Sequence, residues 1–224
     1  MVLDNFVVLE GLDGSGTTTQ LRLLDQRLSA GGRPHFCTGE PTTSPIGRQI
    51  RSILKQELRV DARTVALLFA ADRNEHLYEP GHGILAHLEG GELVVSDRYL
   101  FSSLAYQSLG CPFEYVLELN RPFPLPQLVL FVDTPVSLSQ ERLSRRESAS
   151  GGLPEKRTNR EPSRPEELFD GPEIQPRILA AYDRSFSLFS DTGMELRRVD
   201  GSLSAEEVFE NIWKILQGLP ILRG

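Results

Sequence analysis

Short, continuous apolar runs alternate along the chain with longer stretches in which apolar residues return every three or four positions. The runs at 6–10, 34–38, 92–96, 127–132 and 196–199 read as strands, the second weakly. Most lack a regular polar alternation, which points to strands covered on both faces. Between them lie helical patterns. The first covers 18–30, with Leu21, Leu24 and Leu28 on one face and Gly31-Gly32 as its stop. A second covers 46–55. A third starts from a cap at Asp61 and runs through Val65, Leu68, Phe69 and Asp72 to the punctuation of Pro80-Gly81. Further helices are expected at 100–109, from Pro112 onward, at 137–146, at 166–189 and at 205–216, where Val208, Ile212 and Ile215 form a stripe. Gly171, Pro172 and Pro176 should break or kink the 166–189 helix. The polar stretch 147–165 has the Gly, Pro, Ser and charge content of a flexible loop, with helices of the same pattern on each side. Strand–helix alternation of this kind predicts an α/β fold with about five parallel strands and helices on both faces. Ligands in such sheets bind at the C-terminal ends of the strands.

With 224 residues, the chain suits one domain spanning 1–224 with a mobile lid. The net charge of −7 argues against general nucleic-acid binding, which needs a basic face. No apolar run approaches the roughly 20 residues of a membrane span, and the N-terminus has neither a basic leader nor a long apolar segment. A cytoplasmic protein without membrane partners is expected. Cys37 and Cys111 are the only cysteines, so neither a disulfide nor a metal site is expected of them, and Cys37 falls in a strand as a core residue.

Candidate chemistry begins where the first strand ends. Gly11, Gly16 and Thr18 fit the phosphate-loop pattern G-x-x-x-x-G-K-[ST], but Thr17 stands at the lysine position. Backbone N–H groups from Asp13 through Gly14, Ser15, Gly16 and Thr17 to Thr18 can wrap a phosphate, and the first turn of the helix that follows, with Thr19, adds its dipole. The Thr18 hydroxyl stands at the position that meets Mg²⁺. Directly after the strand at 92–96 come Asp97 and Arg98. This carboxylate can hold Mg²⁺, and this guanidinium can take a phosphate bidentately. Phe69 and Arg73 share a helix face; spacing alone reads them as a core ring and a surface charge.

These motifs together resemble the thymidylate (dTMP) kinase family. The resemblance rests on Glu10-Gly11, Asp13-Gly14, Gly16, the segment from Leu67 to Arg73, and Asp97-Arg98-Tyr99 followed by Ser102-Ser103 and Ala105-Tyr106-Gln107. Glu40-Pro41, Ile46-Gly47, Ile50-Arg51, Asp133-Thr134-Pro135 and Tyr182 fit the same pattern in order. The resemblance implies a P-loop nucleoside monophosphate kinase that makes dTDP from dTMP with ATP and Mg²⁺, working as a homodimer. It also implies roles. Phe69 would stack on thymine, and Arg73 would contact thymine or the acceptor phosphate. Arg98 would hold the dTMP phosphate. Ser103 and Gln107 would hydrogen-bond near the base, and Tyr106 would pack beside the deoxyribose. Asp13 would meet the sugar hydroxyl or an acceptor-side metal, with Thr18 and Asp97 as metal residues. Arg142 would pack on adenine. The lid, with Lys156, Arg157, Arg160 and Arg164, would close over the nucleotide.

Three features depart from that family. Thr17 replaces the loop lysine, Gly39 replaces an arginine before Glu-Pro, and the lid does not closely match the usual one. The lost contact would cost roughly 2–4 kcal/mol of transition-state stabilisation unless another cation fills the space. Arg157 or Arg160, with Lys156 next, is expected to do so. The rival readings are a kinase of the same fold acting on dUMP or a nucleoside, and a degenerate nucleotide binder without catalysis.

Overall fold

A computed structural model of the chain describes residues 1–149 and 174–222. Five strands, β1 (Val2–Gly11), β2 (His35–Gly39), β3 (Leu93–Asp97), β4 (Leu125–Asp133) and β5 (Glu195–Asp200), form one sheet in the order β2-β3-β1-β4-β5. Every pairing is parallel. The described helices are α1 (Thr17–Ala30), α2 (Pro45–Leu54), α3 (Ala62–Tyr78), α4 (Ile84–Glu89), α5 (Leu100–Tyr106), α6 (Phe113–Asn120), α7 (Val136–Ala149), α8 (Ile174–Leu188) and α9 (Ala205–Leu216). The expected α/β architecture is present, and no described helix is long and apolar enough to cross a membrane.

The continuous apolar runs are explained by two cores, one on each face of the sheet. Side chains of a strand alternate between faces. Phe6 and Val8 of β1 therefore join Val94, Val129 and Phe131 beneath Tyr99, Phe101, Tyr182 and Phe186. Val7 and Leu9 join Val95, Leu128 and Leu130 beneath Leu24, Leu28, Ile212 and Leu216. Full burial of each such side chain contributes roughly 1.5–3 kcal/mol. A polar replacement on either face of β1 would thus be costly.

The elements differ from expectation in a few places. β1 starts at Val2 because Val2 and Leu3 pair with Leu125 and Pro126, and a register shift separates them from the main ladder at Val7. Polar Asp4 and Asn5 hide that extension; Asn5 takes a left-handed φ of 62° and its N–H donates to Gln127 Oε1 at 2.7 Å. Helix α4 carried no clear periodicity in only six residues. α5 ends at Tyr106 and tightens into a 3₁₀ turn at Gln107–Leu109. Pro176 lies inside α8, whose described part runs Ile174–Leu188, while Gly171 and Pro172 lie outside the described residues. α9 begins at a Ser204–Glu207 capping box, as its amphipathic pattern requires. Residues 166–173 of the expected long helix, and the stretch 150–165, lie outside the described residues.

Candidate active site

The strand order places the C-terminal ends of β1, β3 and β2 side by side, and the candidate residues gather there. β1 ends at Gly11 and α1 begins at Thr17, leaving a tight loop between them. Its shape depends on two glycines at φ 81° (Gly14) and 101° (Gly16), a region that L side chains rarely enter. A Cβ on Gly14 would also stand 2.4 Å from the Ser139 carbonyl oxygen, so the loop lies directly against the start of α7. Two of the N–H groups expected on a phosphate are engaged within the protein: Asp13 donates to the Tyr106 hydroxyl at 3.0 Å, and Ser15 to the Leu12 carbonyl at 3.0 Å. The first-turn N–H groups of α1, at Thr17, Thr18 and Thr19, have no intrahelical partner and form the anion-facing end of the loop.

Thr18 joins this loop to β3. Its hydroxyl donates to Asp97 Oδ2 at 2.6 Å, while Asp97 Oδ1 is buried with no hydrogen-bond partner among the described residues. Asp97 ends β3, and the next residue turns sharply: Arg98 has φ 72°. That turn directs its guanidinium back across the site. The side chain donates to the Gly11 carbonyl and to Ser102 Oγ, each at 3.0 Å, and pairs with Asp13 Oδ1 at 2.5 Å. It also lies 5.1 Å from the centre of the Tyr106 ring.

Behind Arg98 sits Glu10, a carboxylate at the end of an apolar strand. It accepts from Tyr99 N–H at 3.0 Å, Ser102 N–H at 3.1 Å, Ser102 Oγ at 2.5 Å and the Tyr182 hydroxyl at 2.9 Å. Burial pushes its pKa up to about 7, against the opposing pull of Arg98 and these hydrogen bonds.

A cavity of about 150 Å³ opens beside Arg98, lined among others by Asp13, Phe69, Arg73, Tyr106 and Gln107. Phe69 and Arg73 do share a face, but the charge is the buried member of the pair. Arg73 is 1 % exposed, while Phe69 is half-buried. Four hydrogen bonds, to Glu40, Asn120 and Ser103, hold the guanidinium. The Tyr99 ring packs 4.9 Å from it. Burial alone would raise the Glu40 carboxyl, but the Arg73 guanidinium and His76 hold it below its ordinary value. Ser103 is thereby committed to Arg73, whereas Gln107 keeps a buried Oε1 with no hydrogen-bond partner among the described residues. Next to this cavity, a cleft of about 910 Å³ runs from Thr18 and Asp97 past Thr42 to Arg48 and Arg51.

On the other side of the loop, Arg142 of α7 bridges the Ser15 and Leu203 carbonyls, each at 3.4 Å. It therefore stands between the phosphate loop and the β5–α9 connection. Lys156, Arg157, Arg160 and Arg164 lie outside the described residues. Glu10, Glu40 and Asp72 entered the sequence pattern without a role and Asn120 did not enter it; Glu10, Glu40 and Asn120 position the named site residues, and Asp72 orders the loop after β2. Asp72 accepts from Thr42 N–H at 2.7 Å, Thr42 Oγ1 at 2.6 Å and Ser44 Oγ at 2.9 Å, and so fixes the loop after β2. The available signal was the charge itself: a carboxylate inside a continuous apolar run, as at Glu10, needs buried donors.

Comparison with known proteins agrees with this geometry. The family model described as thymidylate kinase matches residues 9–212. A relative named as a thymidylate kinase in Pyrococcus abyssi is 38 % identical over 214 residues, covering 92 % of this chain and 93 % of its own. One from Aeropyrum pernix is 36 % identical, covering 87 % and 85 %. One from Treponema pallidum is 45 % identical over a shorter stretch, 65 % of this chain and 69 % of its own. The chain belongs to the thymidylate kinase family.

Proposed function

We propose that the chain transfers the γ-phosphoryl group of ATP to dTMP, giving dTDP and ADP, with Mg²⁺. One observation carries the reading beyond family membership. Arg98 touches the phosphate loop at the Gly11 carbonyl and also forms a wall of the adjacent cavity. A donor loop and an acceptor pocket joined by one guanidinium suit in-line phosphoryl transfer, which needs alignment and charge neutralisation rather than covalent chemistry.

Each side chain then has a defined task. The first-turn N–H groups of α1 hold the donor phosphates, and Arg142 packs on adenine. Arg98 exchanges its Asp13 partner for the acceptor phosphate, and Asp13 turns to the sugar hydroxyl. Phe69 stacks on thymine, Tyr106 borders the deoxyribose, and the Gln107 Oε1 accepts from the base. Arg73 lines the pocket already paired with Glu40, with Ser103 positioned through it. The Thr18 hydroxyl and the unpartnered Asp97 oxygen form a hard oxygen donor set, which fits Mg²⁺. The metal, when bound, offsets charge on the donor phosphates. Residues 147–165 serve as the lid of a single kinase domain, and the active form pairs two copies through their helices.

The missing loop lysine is answered from the lid, by Arg157 or Arg160, with Lys156 next. The test is ADP release with dTMP, dUMP, dGMP and dCMP, for the wild type, Thr17→Lys and each lid cation changed to alanine. Turnover specific to dTMP supports the reading; ATP binding without dTMP-dependent ADP release overturns it. If no lid variant lowers kcat by more than about tenfold, roughly 1.4 kcal/mol, the lid does not replace the lysine.

A further inference from the structure

The edge strand β2 carries His35 and Cys37 two positions apart, and so on one face of the strand. Helix α1 packs over that face and presents Asp25. One ligand atom from each of these three side chains, a carboxylate oxygen, a ring nitrogen and the sulfur, lies within 4.8 Å of the other two.

The hydrogen bonds around His35 set its role. Its Nδ1 lies 2.6 Å from the Arg33 carbonyl oxygen, a contact that only an Nδ1–H can make. In the neutral ring this leaves a lone pair on Nε2, which faces the Ser29 hydroxyl at 3.5 Å and Asp25 Oδ1 at 3.2 Å. Two acceptors at that distance repel unless the ring carries a second proton or a cation lies between them. Ligating histidines commonly donate their other N–H to a backbone carbonyl, as His35 does here.

A nucleophilic Cys–His–carboxylate arrangement is a poorer fit. It needs one ring nitrogen on the thiol and the other on the carboxylate, whereas Nδ1 is taken by the backbone. The Cys37 thiol is also pushed up to about 12, by burial first and then by Asp25, which is the reverse of activation.

We propose that Asp25, His35 and Cys37 bind one divalent transition-metal ion, zinc by the chemistry of the donors, through a carboxylate oxygen, Nε2 and a thiolate. Water completes the four-coordinate shell, and the Cys37 proton leaves to solvent on binding. A tetrahedral zinc with ordinary bond lengths separates its ligand atoms by roughly 3.3–3.8 Å. The three ligand atoms already lie within 4.8 Å of one another, and Asp25 is the exposed member of the set. The ion would tie the helix that begins at the phosphate loop to an otherwise open sheet edge. The cysteine count alone hides such a site, because its other ligands come from helix α1 and from a histidine two positions away.

Cobalt(II) is the probe, added to the whole chain with excess Mg²⁺ to occupy the oxygen-rich site at Asp97. The expected result is one bound cobalt with thiolate charge-transfer absorption in the near ultraviolet, competed away by zinc. Cys111→Ser should keep that band and Cys37→Ser should lose it. Asp25→Asn and His35→Gln should weaken apparent affinity by roughly tenfold or more. Asp25 is exposed, so its variant gives a reading even if Cys37→Ser folds poorly, and metal-free thermal melts check each fold. A wild type without the thiolate band overturns the proposal. So does a band that survives Cys37→Ser, or an affinity unchanged in both Asp25→Asn and His35→Gln.

Discussion

The Thr18 hydroxyl donates to Asp97 Oδ2 at 2.6 Å, fastening the helix after the phosphate loop to the end of β3 and leaving Asp97 Oδ1 buried with no hydrogen bond among the described residues. That leftover oxygen is a hard donor with no hydrogen-bond partner among the described residues. Asp97→Asn keeps the size of the side chain and an acceptor for Thr18, but removes the charge. It should lower kcat by about 100-fold, near 3 kcal/mol, and raise the Mg²⁺ concentration for half-maximal turnover. A Mg²⁺ titration of steady-state rates measures both. An unchanged midpoint would remove Asp97 from the metal.

What was legible in the sequence follows from how local the signal is. The phosphate loop, the Asp97-Arg98 turn and the sheet's strands are contiguous patterns, and all were readable. The partners of Arg73 were not, because Glu40, Ser103 and Asn120 come from three separate elements and only the fold brings them together. Spacing put Phe69 and Arg73 on one face correctly but reversed their burial, since hydropathy cannot foresee that Glu40 would neutralise a buried guanidinium. The N-terminal extension of β1 was missed for a similar reason: Asp4 and Asn5 interrupt the apolar run at a register shift. Asp25, His35 and Cys37 were each unremarkable alone.

The Glu40–Arg73 pair is buried on both sides, at 3 % and 1 % side-chain exposure. Removing one partner leaves the other charge without compensation. Glu40→Gln should destabilise the protein by about 3–5 kcal/mol. The double variant Glu40→Gln with Arg73→Met should lose less than the sum of the two single changes. Chemical denaturation of all four proteins tests this. Additive losses would mean that the two side chains stabilise the fold independently.

Gly14 leaves no room for a side chain. At φ 81°, with the Ser139 oxygen 2.4 Å from any Cβ, Gly14→Ala must shift α7 or the loop. The expected loss is about 2 kcal/mol or more, lowering Tm by about 4 °C or more. Gly14→Arg should therefore fail to supply the missing loop cation, with turnover no higher than that of the wild type. A Gly14→Ala melt that coincides with wild type would show that the loop has slack.

Glu10 couples stability to pH in a direction opposite to that of most paired carboxylates. Its folded pKa is raised from 4.5 to about 7, by burial first. The folded state therefore retains a proton that the unfolded chain releases. The contribution is complete below about pH 4.5, falls as pH rises toward 7, and is flat above that. The span is about 3 kcal/mol. Glu10→Gln cannot ionise, so its stability relative to wild type should improve by up to that amount between pH 5 and pH 8, read from urea midpoints. A difference that stays constant across this range would show Glu10 ionised throughout. Turnover in the same variant separates stability from function. Ser102 and Tyr182, which bond to Glu10, also contact Arg98. Disturbing Glu10 should therefore raise KM for dTMP more than it lowers kcat, because it moves the guanidinium proposed to receive the acceptor phosphate rather than the loop proposed to hold the donor.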